Sequence, residues 1–242
     1  MAQQHTPNSI PPRRRLIVAL DVPDANAARA LVTELADAAE FYKIGLELAM
    51  SGSYFELMDW LLEQGKQVFA DLKFYDVPAT VAAAVRQIRA RGATFLTVHG
   101  DRAIMEAAAA EKGATLQVLA VTVLTSLDKS DLEQMGIQGE VRDVVLQRAR
   151  QAVAAGCDGV IASGHEAADL RAVLGPGPLI VTPGIRPAHN SSKDDQKRIV
   201  TPALAIERGA SYLVIGRPIR SAPEPREAAE AIQAEIATAL KQ

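Results

Sequence analysis

The sequence has a single cysteine, Cys157, in 242 residues. No intrachain disulfide is possible, which fits a reducing compartment, and a cytoplasmic location is expected. In Ala-Gly-Cys-Asp-Gly, Cys157 reads as a small core residue. No apolar run approaches the ~20 residues of a membrane span, so no membrane association is expected. Residues 1–14 are polar, with Pro11 and Pro12 ahead of Arg13, Arg14 and Arg15, and lack the apolar stretch of a signal peptide. They read as a flexible arm, with the three arginines as a solvated run, ahead of one domain over 15–242. The formal net charge is only −3 and the pI is near 5.9, which argues against a nucleic-acid or membrane-surface partner. His5, His99, His165 and His189 show no metal-ligand spacing, and no metal site is expected. There is also no low-complexity segment and no linker that would split the chain.

What the sequence has is a repeated alternation. Short β-branched runs fall at Leu16–Leu20, Phe41–Gly45, Gln67–Leu72, Thr94–Val98, Leu116–Val121, Gly159–Ala162, Leu179–Val181 and Tyr212–Ile215. Alanine-rich helical stretches lie between them, among them Ala25–Ala38, Ser53–Glu63, Thr80–Arg91, Ala103–Glu111, Val141–Ala154 and Thr201–Glu207, and Glu224–Leu240 closes the chain. Gly92, Gly113, Gly156 and Gly209 stand where helices would stop before the next strand. Strands alternating with helices indicate parallel βαβ units. Eight such units in about 230 residues fit an α/β fold of the (β/α)8 TIM-barrel kind. An open doubly wound sheet is the alternative, but no G-x-G-x-x-G follows the first strand.

Barrel chemistry sits at the C-terminal ends of the strands. Side chains on a strand alternate faces, so charges there can be assigned by parity. In the third strand Val68, Ala70 and Leu72 make an apolar face that suits packing against helices, so Asp71 and Lys73 point inward, with Asp76 just beyond. The same counting turns Asp21, Lys43, Thr97 and His99 inward from the first, second and fourth strands. A structural ion pair is the plain explanation of one D-x-K. It does not suit alternating charges at successive strand ends, because charges in a semi-buried site are costly to assemble.

The opposite side of the mouth suits phosphate. Gly216 lets backbone approach a ligand closely, and Arg217 carries a planar fork matched to phosphate oxygens. Barrels often hold phosphate on the loops after strands seven and eight. The loop from Thr182 through Arg186 to Gln196 is long enough to be a lid. Thr125 and Ser126, after the fifth strand, are placed to hydrogen-bond a polar heterocycle.

These pieces together resemble the bacterial orotidine 5′-phosphate decarboxylase family. They are Ala19-Leu20-Asp21, Tyr42-Lys43-Ile44-Gly45, the run Asp71 to Thr80 with its D-x-K-x-x-D, Val123-Leu124-Thr125-Ser126, Thr182-Pro183-Gly184-Ile185-Arg186, Asp195-Gln196 and Ile215-Gly216-Arg217-Pro218-Ile219. The resemblance runs in order from the first strand to the eighth. It implies conversion of orotidine 5′-monophosphate to UMP and CO₂ without a cofactor, with Lys73 and Asp71 at the reacting carbon. It implies that Asp21 and Lys43 hold ribose hydroxyls, Ser126 reads the pyrimidine edge beside Thr125, Gln196 bridges base and phosphate, and Arg186, Gly216 and Arg217 take the phosphate. It implies a homodimer in which Asp76 and Thr80 reach the neighbouring subunit's ribose. Related barrels that share D-x-K-x-x-D and act on sugar phosphates with Mg²⁺ carry a metal-binding glutamate where this chain has Lys43. The segment His99-Gly100-Asp101-Arg102 departs from the family's usual pattern. Two other readings stay open: a metal-dependent sugar-phosphate decarboxylase or aldolase, and a nucleotide-binding barrel without catalysis.

Overall fold

A computed structural model describes residues 10–99, 101–187 and 200–241. Eight parallel strands close into a barrel in chain order. They are β1 (Leu16–Ala19), β2 (Phe41–Gly45), β3 (Gln67–Phe74), β4 (Phe95–Val98), β5 (Gln117–Val121), β6 (Gly159–Ile161), β7 (Leu179–Thr182) and β8 (Tyr212–Ile215). The helices are α1 (Ala25–Leu35), α2 (Leu46–Met50), α3 (Tyr54–Glu63), α4 (Pro78–Arg91), α5 (Arg102–Glu111), α6 (Lys129–Gln134), α7 (Val141–Ala154), α8 (Ala167–Leu174), α9 (Pro202–Glu207), α10 (Arg217–Arg220) and α11 (Pro225–Ala239). The expected barrel is therefore the observed one. No helix among the described residues is long and apolar enough to cross a membrane.

The short helices α2, α6 and α10 lie in the loops at the C-terminal ends of strands, and the sequence did not announce them. Each is about a turn long, too short for a 3.6-residue apolar pattern to repeat. The other helix ends follow local chemistry. The Asp24 carboxylate accepts from the Ala27 N–H at 2.9 Å and starts α1, and Pro78 occupies the first turn of α4. The four expected stop glycines all have positive φ, for example 90° at Gly92.

Strand parity divides the apolar residues into two cores. Val18, Tyr42, Ile44, Val68, Ala70, Leu96 and Val98 face outward and pack under the helices. Ile17, Ala19, Phe41, Phe69, Phe95, Leu119, Leu179, Val181, Tyr212 and Val214 fill the inside. Only ten aromatic residues exist in the chain, and four of them meet inside the barrel. Phe95 is the hub, with ring centroids 4.9 Å from Phe41, 5.0 Å from Tyr212 and 5.8 Å from Phe69. Such tilted and edge-on pairs match the ring quadrupoles and add to the area buried.

The reading of Arg13 to Arg15 as a solvated run needs correction at its last member. Pro12–Arg15 forms a 3-10 turn, in which Arg13 and Arg14 are exposed but Arg15 is buried. Its Nη1 donates to the Ser211 carbonyl at 3.2 Å, and burial pushes its pKa down. Ile10 joins the interior cluster, and the Gln233 amide donates to the Arg13 carbonyl at 2.9 Å. Strand parity says nothing about this stretch, because it is not a strand. Residues 1–9 of the expected arm lie outside the described residues.

Phe95→Ala should destabilise the protein by about 3–5 kcal/mol, since it removes the ring that joins three others. Urea unfolding followed by circular dichroism measures this. A loss below about 1 kcal/mol would mean that the interior collapses to fill the space.

Candidate active site

The site is built on the end of β3. Ala70 pairs with Leu96 and Phe74 with Val98, so β3 carries two more residues than β4 over this stretch. Extra residues re-aim side chains at a strand end. Here the slip coincides with Lys73 at φ 48°, one of two non-glycine residues among those described with positive φ. A non-glycine residue in such a conformation costs of order 1–3 kcal/mol and persists only where its surroundings hold it.

Asp71 and Lys73 both turn into the barrel mouth, as parity predicts, and join Lys43 from β2 and Asp21 from the end of β1. The four charges alternate in a chain. Lys43 Nζ lies 2.8 Å from Asp21 Oδ1 and 3.5 Å from Asp71 Oδ2, and Lys73 Nζ lies 2.9 Å from Asp71 Oδ1. The side chains of Lys43 and Asp71 are 11% and 13% exposed, against 31% for Lys73 and 43% for Asp21. The inner pair is thus fixed in low dielectric, and Lys73 is the ammonium that reaches open space. Thr97 completes the group: its hydroxyl donates to Asp71 Oδ1 at 2.8 Å and accepts the Lys73 backbone N–H at 3.0 Å.

Burial alone would raise the Asp71 pKa. Lys43 and Lys73, with hydrogen bonds from Lys73 and Thr97, outweigh it and hold the carboxyl below its ordinary 3.8. Burial alone would lower the Lys43 pKa, and Asp71 and Asp21 outweigh that and hold it above 10.5. His99 is different. Burial first, then Arg148 and Lys73, push its pKa below 6.5. It does not line the cavity described next, and its ring meets Tyr75 edge-on at 5.9 Å.

A cavity of about 250 Å³ opens above the charges. Asp21, Lys43, Asp71 and Lys73 line one side, and Thr125 and Ser126 lie along another. Arg186, Gly216 and Arg217 border it as expected. A Cβ at Gly216 would come no closer than 3.4 Å to Ala19, an ordinary contact. Packing within the protein therefore does not require glycine there, and the missing side chain leaves the backbone open to close approach.

Two expected site residues among those described do not line the cavity. Asp76 and Thr80 are exposed at the rim, and the Asp76 carboxylate accepts from the Val77 N–H at 2.6 Å. Gln196 lies outside the described residues, as does most of the expected lid. Conversely, Arg220 lines the cavity unforeseen, and its buried Nε has no hydrogen-bond partner among the described residues. It sits one turn after Arg217, and only knowledge of the short α10 would have brought it there. Val121, Val123 and Ile161 supply an apolar wall. Among the described residues no three His, Cys, Asp or Glu side chains are grouped to hold a metal ion.

A closed (β/α)8 barrel with lysine and aspartate alternating at the mouth, and arginines opposite, defines a class of barrel suited to anionic, phosphate-bearing ligands. Comparison with known proteins narrows this. Residues 14–232 match the model of the orotidine 5′-phosphate decarboxylase / HUMPS family. An orotidine 5′-phosphate decarboxylase of Methylococcus capsulatus is 56% identical over 227 residues, 94% of this chain and 93% of that protein. One from Stenotrophomonas maltophilia is 53% identical, over 93% of this chain and 94% of that protein. The crystal structure of the Lactobacillus acidophilus orotidine 5′-phosphate decarboxylase superposes with a TM-score of 0.81 at 35% identity, covering 92% of this chain and 99% of that one. The chain belongs to the orotidine 5′-phosphate decarboxylase / HUMPS family.

The signs of the two inner pKa shifts fix a pH dependence. Asp71, depressed on folding, contributes stability above 3.8 that is lost as pH falls through its folded value. Lys43, raised on folding, contributes stability below 10.5 that is lost as pH rises through its folded value. Melting temperatures from about pH 5 to about pH 9 should therefore show no step due to either residue. A step in that window that disappears in Lys43→Met would show that the inner pair is not ionised as described.

Proposed function

We propose that the protein converts orotidine 5′-monophosphate to UMP and CO₂, as a carboxy-lyase of pyrimidine nucleotide synthesis. The observation that carries this is the alternating Asp21–Lys43–Asp71–Lys73 chain, with Lys73 as its open end in a phosphate-ready cavity. Loss of CO₂ from C6 of the pyrimidine leaves an electron pair in the ring plane, out of conjugation with the carbonyls. A fixed positive charge is the remedy, since a pre-aimed group needs no reorganisation at the moment of reaction. Lys73 supplies that charge and then gives C6 its proton. Asp71 keeps Lys73 aimed. It also faces the departing carboxylate. Two like charges at ~4 Å repel by about 4 kcal/mol at an effective dielectric near 20, a strain that falls as CO₂ leaves.

The remaining roles follow the chemistry of each wall. Asp21 and Lys43 take ribose hydroxyls, Thr125 and Ser126 the pyrimidine edge, and Arg186, Gly216 and Arg217 the phosphate, with Gln196 bridging base and phosphate. Phosphate binding far from C6 organises the charges around it. No cofactor is required. A metal-dependent sugar-phosphate chemistry is disfavoured by Lys43, whose ammonium already pairs with both carboxylates that a divalent cation would need.

The single chain leaves Asp76 and Thr80 outside the cavity. Their sequence neighbours Tyr75 and Val77 are 69% and 62% exposed, and Leu46 and Met50 of α2, at the end of the adjacent strand, are 57% and 80% exposed. Exposed apolar surface of this kind marks an interaction site. On the proposed reading it is the face of a two-fold homodimer, across which Asp76 and Thr80 complete the partner's ribose site.

The first test is spectrophotometric. The purified protein should consume orotidine 5′-monophosphate at the same rate with and without EDTA, whereas full inhibition by EDTA, reversed by Mg²⁺, would overturn the cofactor-free reading. Tight binding of UMP with no turnover would overturn catalysis altogether.

The second test concerns the shared site. Lys73→Ala and Asp76→Ala should each be inactive and folded. When mixed and allowed to exchange subunits, half the dimers are mixed, and each holds one intact site. About a quarter of wild-type activity should return, as two-fold symmetry requires. No recovery despite demonstrated exchange would place both residues in one chain's site.

A further inference from the structure

Thr97 carries no role in the function proposed above, yet it is fully buried and its one oxygen touches both halves of the reacting pair. A threonine hydroxyl has one proton to donate and lone pairs to accept. Here the proton goes to Asp71 Oδ1 at 2.8 Å, the same oxygen that receives Lys73 Nζ at 2.9 Å. A lone pair receives the Lys73 backbone N–H at 3.0 Å. That N–H lies where β3 slips against β4, between the Ala70 and Phe74 pairings. The Thr97 side chain therefore stands in for a sheet hydrogen bond at the one place where the ladder is interrupted. It does so at the residue with φ 48°. Its β-branched side chain on β4 is stiff about χ1, so the oxygen is held by the strand itself.

We infer that Thr97 is a positioning residue for the reaction: through one hydroxyl it fixes both the Asp71 carboxylate and the left-handed Lys73 backbone, and so aims the Lys73 ammonium. Without it the Asp71 carboxylate keeps its lysines but loses its rotational stop, and the Lys73 backbone is free to relax out of its strained conformation. The cavity lining does not include Thr97, so its loss acts on the chemical step rather than on substrate affinity.

The inference rests on the proposed decarboxylation, and the test separates the two. Wild type, Thr97→Val, Thr97→Ala and Thr97→Ser are assayed with orotidine 5′-monophosphate, and UMP affinity and melting temperature are measured for each. Thr97→Val keeps the shape and removes both bonds. Its kcat should fall about 100-fold, the scale of a group misplaced by an ångström, with KM and UMP affinity changed less than about 3-fold. Thr97→Ser keeps the hydroxyl and should retain kcat to within about 5-fold. Thr97→Ala carries the same expectation as Thr97→Val if the latter does not fold. Unchanged kcat in a folded variant lacking the hydroxyl overturns the inference. So does a loss confined to KM, or a serine variant as slow as the valine one. Absence of turnover in the wild type overturns the proposed function and this role with it.

Discussion

The inner ion pair, Lys43 against Asp71, is the interaction on which the rest of the mouth depends. Each charge costs several kcal/mol to take out of water, and their attraction repays this only with good geometry and further hydrogen bonds. The structure supplies both. Lys43 also meets Asp21, and Asp71 also meets Lys73 and Thr97. Removing Lys43 or Asp71 leaves its buried partner short of a counter-charge, at a cost of about 3–5 kcal/mol. A well-packed apolar group in the same place would serve stability as well or better. Stability therefore does not explain why the charges are there; on the proposed reading, a reaction that builds negative charge at a carbon does.

The barrel makes that arrangement stiff. Below the charges the interior is closed by Phe41, Phe69, Phe95 and Tyr212, and below them by Ile10 and the buried Arg15. Lys43 and Asp71 stand on the same inward-facing columns as Phe41 and Phe69, two residues further along each strand. The aromatic layer thus sets the height and direction at which the charged layer begins. A loop could carry the same residues, but not hold them to the tolerance that electrostatic catalysis needs.

Parity explains what was legible in the sequence. Inward and outward faces of β1 to β4 follow from alternation alone, so Asp21, Lys43, Asp71 and Lys73 could be brought together before any coordinates. That Arg186, Gly216 and Arg217 would border the same mouth was legible through residue type and position after the last two strands. What escaped has a common cause: it depends on departures from regular geometry. The slip in β3, the positive φ of Lys73 and the double use of the Thr97 hydroxyl are invisible to a period of two. Arg220 reaches the cavity only because a single turn of helix follows β8, and Arg15 is buried only because a 3-10 turn folds it against β8. His99, counted inward with the others, lies one residue past β4 and does not line the cavity.

The run from Asp71 to Thr80 shows why one motif can have two destinations. Up to Lys73 it is strand, and its side chains are committed to the barrel. At Phe74 the last ladder contact with β4 is made, and Pro78 then opens α4. Between them Tyr75, Asp76 and Val77 run across the rim, exposed, with no outer layer above them among the described residues. An aspartate placed there lines no cavity among the described residues, and two large apolar side chains beside it gain nothing from water. Both facts have one resolution on the proposed reading: a second copy covers the apolar pair and receives the carboxylate. The cost of exposing Tyr75 and Val77 in the monomer then becomes the driving force that assembles the site. The residues that do the chemistry and the residues that secure the partner would be adjacent in sequence because the strand ends between them.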